Sequence, residues 1–326
     1  MGTGTARISV TIPVYNCERY IAECAASLME QTYQNIEYIF VDDSSTDRSL
    51  QLLKKTVNNY PERIDQVKII SLPSNTGLAN ARNTGINGMT GDYFTFCDGD
   101  DWIEKDAFST MLVKAEAENA DIVCTPFFID TLKKRKKVSL PRYKKWDLNN
   151  IPLDTVHFSL WNKLFKSNLF HDNKLRVFDM VNCWEDLSIT SRIFSLTQNI
   201  VILNIPFYHY RKQDNASLTT SGHKRILKDH IICAQKLDEW FSTQGNDFYN
   251  RYAGFLLFLK FTSKIKILRG REKDIAKWKE TFPESNTHIL AYKHIPKHFR
   301  ILFHLAYILP TGFTQYVADR FQIFYE

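Results

Sequence analysis

The sequence predicts an α/β fold: a mostly parallel, mixed sheet with helices on both faces, followed by a C-terminal helical region. Three observations carry this expectation. Between Arg7 and Ile129 short β-type runs alternate with helical stretches, the pattern that strand–helix–strand crossovers produce in parallel sheets. Polar and acidic clusters follow the β runs, where open α/β sheets hold their ligands. Near residue 215 the alternation stops, and the rest of the chain reads as helices.

The elements follow in order. Arg7–Val14 (RISVTIPV) is a buried strand and Glu18–Glu30 a helix. Glu37–Val41 is a second strand, and the polar run Asp42–Asp47 after it ends the strand and caps a helix over Asp47–Asn58. A third strand is expected at Val67–Leu72, with a helix at Leu78–Asn87, and a fourth strand at Tyr93–Cys97, with a helix at Ala107–Glu118. Asp121–Ile129 reads as one fifth strand and Asp186–Leu196 as a helix. Beyond residue 217, Lys224–Phe241, Tyr249–Leu268 and Arg271–Thr281 read as helices, which divides the chain into domains 1–217 and 218–326. The run Lys133–Lys137 is expected in an exposed loop, because like charges repel and seek solvent.

Composition narrows the function classes. A chain of 326 residues buries a large core, so it folds without disulfide or metal staples. The six Cys form no CxxC, which leaves out zinc ribbons and thioredoxin-type motifs, and they read as reduced buried thiols. Cys17 and Cys24 would lie about 10 Å apart on a helix, too far to bridge. The first residues carry no apolar segment of a secretory signal, and no uncharged apolar run reaches the roughly 18–20 residues that span a bilayer. The expected location is the cytoplasm. The net charge of +6 suits a phosphate-rich ligand, an anionic surface or nucleic acid. Nucleic acid is set aside because no recognition motif accompanies the basic run.

The chemistry concentrates in Asp98-Gly99-Asp100-Asp101, where a β run ends in three carboxylates. Such a cluster suits a hard divalent cation, Mn²⁺ or Mg²⁺, held by one or two carboxylates together with substrate phosphates. The first strand ends in Pro13-Val14-Tyr15-Asn16 with neither GxGxxG nor GxxxxGK[ST], so a nucleotide would be held by side chains rather than a glycine cradle.

Taken in series, Thr11–Asn16, Val41–Asp47, Asn75–Asn83 and Asp98–Asp101 closely resemble the family 2 glycosyltransferases of the Rossmann-like GT-A fold. Trp161–Lys166, Trp184–Leu187 and Tyr208–Arg211 with Asn215 and Ser217 continue the resemblance. It implies inverting transfer of a sugar from a nucleotide diphosphate donor. By position, Pro13, Tyr15 and Glu18 match residues that line the base pocket. Asp43, with Asp42 as second candidate, matches the carboxylate that meets uracil. Arg82 matches a residue near base and phosphates. Asp98 matches a residue at the ribose and metal, and Asp100 the principal metal ligand. Asp101 is assigned to donor sugar hydroxyls, Arg211 to the diphosphate and His209 to the metal. Asp186 is the implied general base, kept ionised by its helix N-terminus, with Trp161, Lys163 and Glu185 on the acceptor side. The implied partners are a UDP-sugar and a glycan or lipid-linked oligosaccharide, as in surface polysaccharide synthesis. A catalytically inactive sugar-nucleotide or glycan-binding module on the same fold is the alternative.

The tail leaves two readings open. Residues 286–318 contain no Asp or Glu but do contain Lys293, Lys297, Arg300 and many aromatics. Basic, aromatic helices of this kind lie on membrane surfaces; the same faces also serve for packing or a homodimer. The membrane reading makes the protein peripheral on the inner face of the cytoplasmic membrane.

Overall fold

The computed structural model describes residues 5–141, 146–212, 223–268 and 273–320. They fall into two compact units, one within 1–147 and 154–217, the other within 148–153 and 218–326. Asn215 and Ser217 lie outside the described residues.

The first unit is built on a seven-stranded mixed sheet. Its strands are β1 (Ile8–Val14), β2 (Ile36–Asp42), β3 (Val67–Ser71), β4 (Tyr93–Phe96), β6 (Ile122–Cys124), β9 (Lys163–Lys166) and β10 (Ile200–Ile202), in the order β10-β6-β9-β4-β1-β2-β3. β1 pairs in parallel with β2 and β4, and all seven of its residues are buried, as befits a central strand covered on both faces. β9 runs antiparallel between β4 and β6. Four helices connect the early strands: α1 (Ile21–Met29), α2 (Ser49–Val57), α3 (Leu78–Gly88) and α4 (Ala107–Ala117). α5 (Thr155–Phe158) and α6 (Asn168–His171) are single turns, and α7 (Glu185–Leu196) follows.

Helices cover both faces, and β1 shows why. Val10, Ile12 and Val14 share a core with Ile21, Cys24 and Leu28 of α1 and with Phe108 and Met111 of α4. Thr11 points the other way, as alternation along a strand demands. It meets Gly85 of α3 so closely that a Cβ there would lie 2.1 Å from Thr11 Cγ2. Glycine is therefore what lets α3 approach the sheet.

A second, four-stranded sheet was not foreseen. It has the order β5-β11-β7-β8, from β5 (Trp102–Ile103), β7 (Phe127–Asp130), β8 (Arg135–Val138) and β11 (Tyr208–Arg211). The stretch expected as one strand, Asp121–Ile129, is thus two strands in two sheets. The break falls at Thr125-Pro126, where Pro126 has no N–H to continue a ladder. The basic run is corrected too. Arg135, Lys136 and Lys137 pair with β7 as an edge strand, and their exposed charges guard that edge against further pairing.

The second unit contains α8 (His223–Ser242), α9 (Asn246–Lys264), α10 (Ile275–Glu280), α11 (Lys297–Ile308) and α12 (Thr311–Arg320), with 3₁₀ turns at Ile265–Leu268 and Pro283–Ala291. Phe261, Leu268, Ile275, Trp278, Ile289 and Phe303 form its core. Asn149 is tied to α9: its amide donates to the Arg251 carbonyl, and its Oδ1 accepts from the Phe255 N–H, both at 2.9 Å. No helix among the described residues is long and apolar enough to cross a membrane.

Candidate active site

The site grows from the carboxyl ends of β1, β2 and β4. Near the end of β1 Pro13 is buried, and just past it Tyr15 is about half exposed. Asn16 takes a left-handed φ of 47° and accepts the Thr46 N–H on Oδ1 at 2.8 Å, stitching the loops after β1 and β2 together. Glu18 adds to the stitch by accepting the Arg48 N–H and Nε, both at 3.1 Å. Asp43 is buried and accepts three hydrogen bonds: Thr76 N–H at 2.8 Å, Thr76 Oγ1 at 2.9 Å and Gly77 N–H at 2.8 Å. It shapes the loop that leads into α3, and any contact with a base must share oxygens already engaged.

Gly77 has φ 91° and ψ 164°, a conformation essentially reserved for glycine, and a Cβ there would lie 2.5 Å from Asn182 Oδ1. Gly77→Ala is expected to cost roughly 1–3 kcal/mol, measured by urea unfolding. Unchanged stability would mean that the loop refolds without loss.

The acidic turn after β4 is held from below. The Asp98 N–H donates to Tyr208 Oη at 3.0 Å, and Tyr208 donates in turn to Asp101 Oδ2 at 2.7 Å. Asp101 Oδ1 accepts the Arg211 N–H at 2.7 Å. Asp101 is almost wholly buried, so its assignment to donor sugar hydroxyls is corrected: it clamps β11 under the turn. Gly99 lets the turn sit on the end of β1, since a Cβ would lie 2.8 Å from the Pro13 carbonyl oxygen. Burial and the neighbouring Asp98 charge push Asp100 up to about 6, against the pull of Arg211.

Arg82 joins this turn to α7. Its Nη2 donates to Asp98 Oδ1 at 3.0 Å and its Nη1 to Glu185 Oε1 at 2.5 Å. The side chain is 3% exposed and lies over the Phe96 ring. Its buried Nε has no hydrogen-bond partner among the described residues. Glu185, assigned to the acceptor side, is buried against Arg82 and positions it instead.

Asp186 stands beside this pair in the first turn of α7, behind Trp184 at a left-handed φ of 75°. The helix N-terminus does act on it as expected, through the Leu187 N–H that donates to Asp186 Oδ1 at 2.8 Å. Burial raises its pKa in spite of Arg82 and the Leu187 N–H, which pull it down. Lys163 is buried, donating to the Ser159 carbonyl at 2.5 Å and to Asn162 Oδ1 at 2.7 Å. Burial brings its pKa down to about 8, with Asp186 among the charges that oppose the fall. Trp161 is buried and stacks on Tyr208 and Tyr210 with ring centroids 4.3 and 5.7 Å away, so it is core under the site rather than an open acceptor wall.

His209, expected at the metal, has both ring nitrogens engaged by other side chains. It is fully buried and stacked between Trp102, at 3.5 Å, and Phe128, at 4.8 Å. Nδ1 faces Asp130 and Nε2 faces Glu104, both at 3.0 Å, which occupies both ring nitrogens. Arg211 donates from Nη1 and Nη2 to Glu23 Oε2, each at 2.9 Å, and lies over the Tyr20 ring at 4.8 Å.

No group of three or more His, Cys, Asp or Glu suited to a metal occurs among the described residues. The donor set reduces to Asp98 and Asp100. These fit a hexacoordinate hard cation that keeps waters and phosphate oxygens, and the mutual repulsion that raises Asp100 is what a cation would relieve. Because a carboxylate must be deprotonated to ligate, Mn²⁺ affinity is expected to fall as pH drops through about 6. Calorimetry at several pH values checks this; a pH-independent affinity would remove Asp100 from the ligand set.

The sequence marks Tyr208 only as part of a motif, without a role, and does not mark Asn182 or Glu23. Tyr208 and Glu23 act across large sequence separations, and Asn182 lies over a glycine whose own need for positive φ was legible.

The family model described as "Glycosyl transferase family 2" matches residues 9–183. Glycosyltransferase GlyA of Streptococcus pneumoniae is 32% identical over 223 residues, covering 63% of this chain and 30% of that protein. The uncharacterized glycosyltransferase EpsJ of Bacillus subtilis is 30% identical over 234 residues, covering 69% of this chain and 66% of that protein. This chain therefore spans about a third of the first relative and just under two thirds of the second. The crystal structure of S. aureus TarS 1–349 in complex with UDP superposes with a TM-score of 0.66 at 20% identity, covering 97% of this chain and 91% of that one.

Proposed function

This chain belongs to glycosyl transferase family 2, with a GT-A fold and a C-terminal helical region, and from that premise we propose that it moves a hexosyl or N-acetylhexosaminyl group from a UDP-sugar to a saccharide, with inversion. One observation carries the reading. The buried Arg82 guanidinium bonds Asp98 of the acidic turn on one side and Glu185 of α7 on the other, and Asp186, the next residue of α7, is near enough for its charge to act on Arg82. A donor-side carboxylate pair and a separate carboxylate base are what a single-displacement transfer needs.

UDP is the preferred nucleotide because Tyr15 and Asp43 stand at the strand ends where a uracil would lie, and because a fold neighbour is a complex with UDP. Pro13 and Glu18 frame that pocket. Asp98 and Asp100 would hold Mn²⁺ or Mg²⁺, which when bound neutralises charge on the leaving diphosphate. Arg211, released from Glu23, supplies a planar cation for the same phosphates. Asp186 accepts the proton of the acceptor hydroxyl as that oxygen attacks the anomeric carbon from the face opposite the diphosphate. The raised pKa of Asp186 brings its basicity closer to neutral pH, where a general base is most effective. No covalent enzyme intermediate is required. The acceptor is a glycan of surface polysaccharide synthesis, carried on lipid where the enzyme works as a peripheral protein.

A donor-hydrolysis screen over UDP-, GDP- and dTDP-sugars with Mn²⁺ tests the reading. UDP-sugars are expected to turn over fastest. Turnover confined to GDP- or dTDP-sugars would overturn the uracil assignment, and none with any donor would favour a binding module.

A further inference from the structure

The second unit turns an apolar face to solvent. In α11, Ile301, Leu305 and Ile308 recur at i, i+4 and i+7, the spacing of one helix face, while Phe303 and Ala306 fill the unit's core. In α12, which contacts α11, Phe313 and Tyr316 repeat the outward pattern at i and i+3. With Phe299, these side chains are 43–66% exposed. A surface helix ordinarily keeps a single apolar stripe and turns it inward. Here α11 has an inward stripe and an outward one, and six large side chains gathered on two adjoining helices form a patch rather than isolated exposures.

Charge selects the occupant. Residues 286–318 hold Lys293, Lys297, Arg300 and four His but no Asp or Glu. Lys293 and Lys297 are exposed, and neither makes an ion pair among the described residues. A second copy meeting this face about a two-fold axis would set the cations near their own equivalents with no acid from this stretch to pair them. An anionic bilayer offers what both groups need: acyl chains for Ile301, Leu305 and Ile308, and phosphates for the Lys and Arg side chains. Phe and Tyr suit the boundary between the two.

We propose that the outward face of α11 and α12 docks this chain reversibly on an anionic lipid bilayer. This deepens the lipid-linked acceptor reading, yet its test needs neither donor nor metal, so the two fail separately.

The full chain is sedimented with phosphatidylglycerol/phosphatidylcholine vesicles and with pure phosphatidylcholine vesicles, at low and high salt. Binding is expected to the anionic vesicles and to weaken with salt. Leu305→Ser with Ile308→Ser is expected to lower partitioning roughly tenfold or more. Lys293→Gln with Lys297→Gln should lower it roughly thirtyfold. Because all four side chains are exposed, Tm and donor hydrolysis should stay unchanged, which separates lost docking from lost folding. No pelleting with anionic vesicles at low salt, or pelleting of both double variants equal to that of the unmodified chain, overturns the proposal. So does a lipid-free dimer, seen by sedimentation velocity, that Leu305→Ser dissociates.

Discussion

Asp186→Asn is expected to lower kcat for sugar transfer by roughly 10²–10⁴-fold while leaving UDP affinity nearly unchanged. The amide preserves the shape of the side chain but cannot take a proton from the acceptor hydroxyl. Asp186 is not among the groups that bond Asp98, which reaches α7 through Arg82 and Glu185, so the donor side should keep its geometry. Transfer measured with saturating donor, beside calorimetry of UDP, separates the outcomes. A variant that keeps most of its kcat removes Asp186 from the base role. One that loses UDP affinity instead places Asp186 in the donor site.

The second large effect is structural. Arg82→Met is expected to destabilise the first unit by about 3–5 kcal/mol, because Glu185 loses its buried counter-charge and Asp98 its Arg82 partner. Glu185→Gln should cost less, since the amide oxygen can still accept from the guanidinium and no buried carboxylate is left without its counter-charge. In Arg82→Met with Glu185→Gln the two losses should not add, as the second change removes the charge that the first strands. Urea unfolding of the four proteins supplies the cycle. Additive losses would show that Arg82 and Glu185 are stabilised independently and that the bridge between the two halves of the site carries no coupling.

The parts of the fold set by local pattern were legible in the sequence. β1, β2 and β4 are mostly apolar because both their faces are covered, and the polar residues at their ends mark where the sheet stops. The second sheet was not legible, because its strands are short and come from distant segments: Trp102–Ile103 pairs with Tyr208–His209, and Phe127–Asp130 with Tyr208–Arg211. Pro126 was the one local sign that Asp121–Ile129 changes sheet. Within the site, motif position located the carboxylates but not their environments. Asp100 and Asp101 are adjacent in sequence, yet Asp101 is closed in by Tyr208 and the Arg211 N–H, partners more than a hundred residues away. The family resemblance assigns His209 to the metal, and only the assembled sheet shows Glu104 and Asp130 facing its two nitrogens. Arg82 matched a donor-side residue, but its bond to Glu185 joins positions 103 residues apart.

The most direct measurement of the central claim is calorimetry of UDP against the full chain at neutral pH, with Mn²⁺ and then with EDTA, repeated on Asp100→Ala. The account predicts UDP binding that strengthens with Mn²⁺ in the unmodified chain and loses that gain in Asp100→Ala. Equal affinity under all three conditions, or no UDP binding at all, would contradict it.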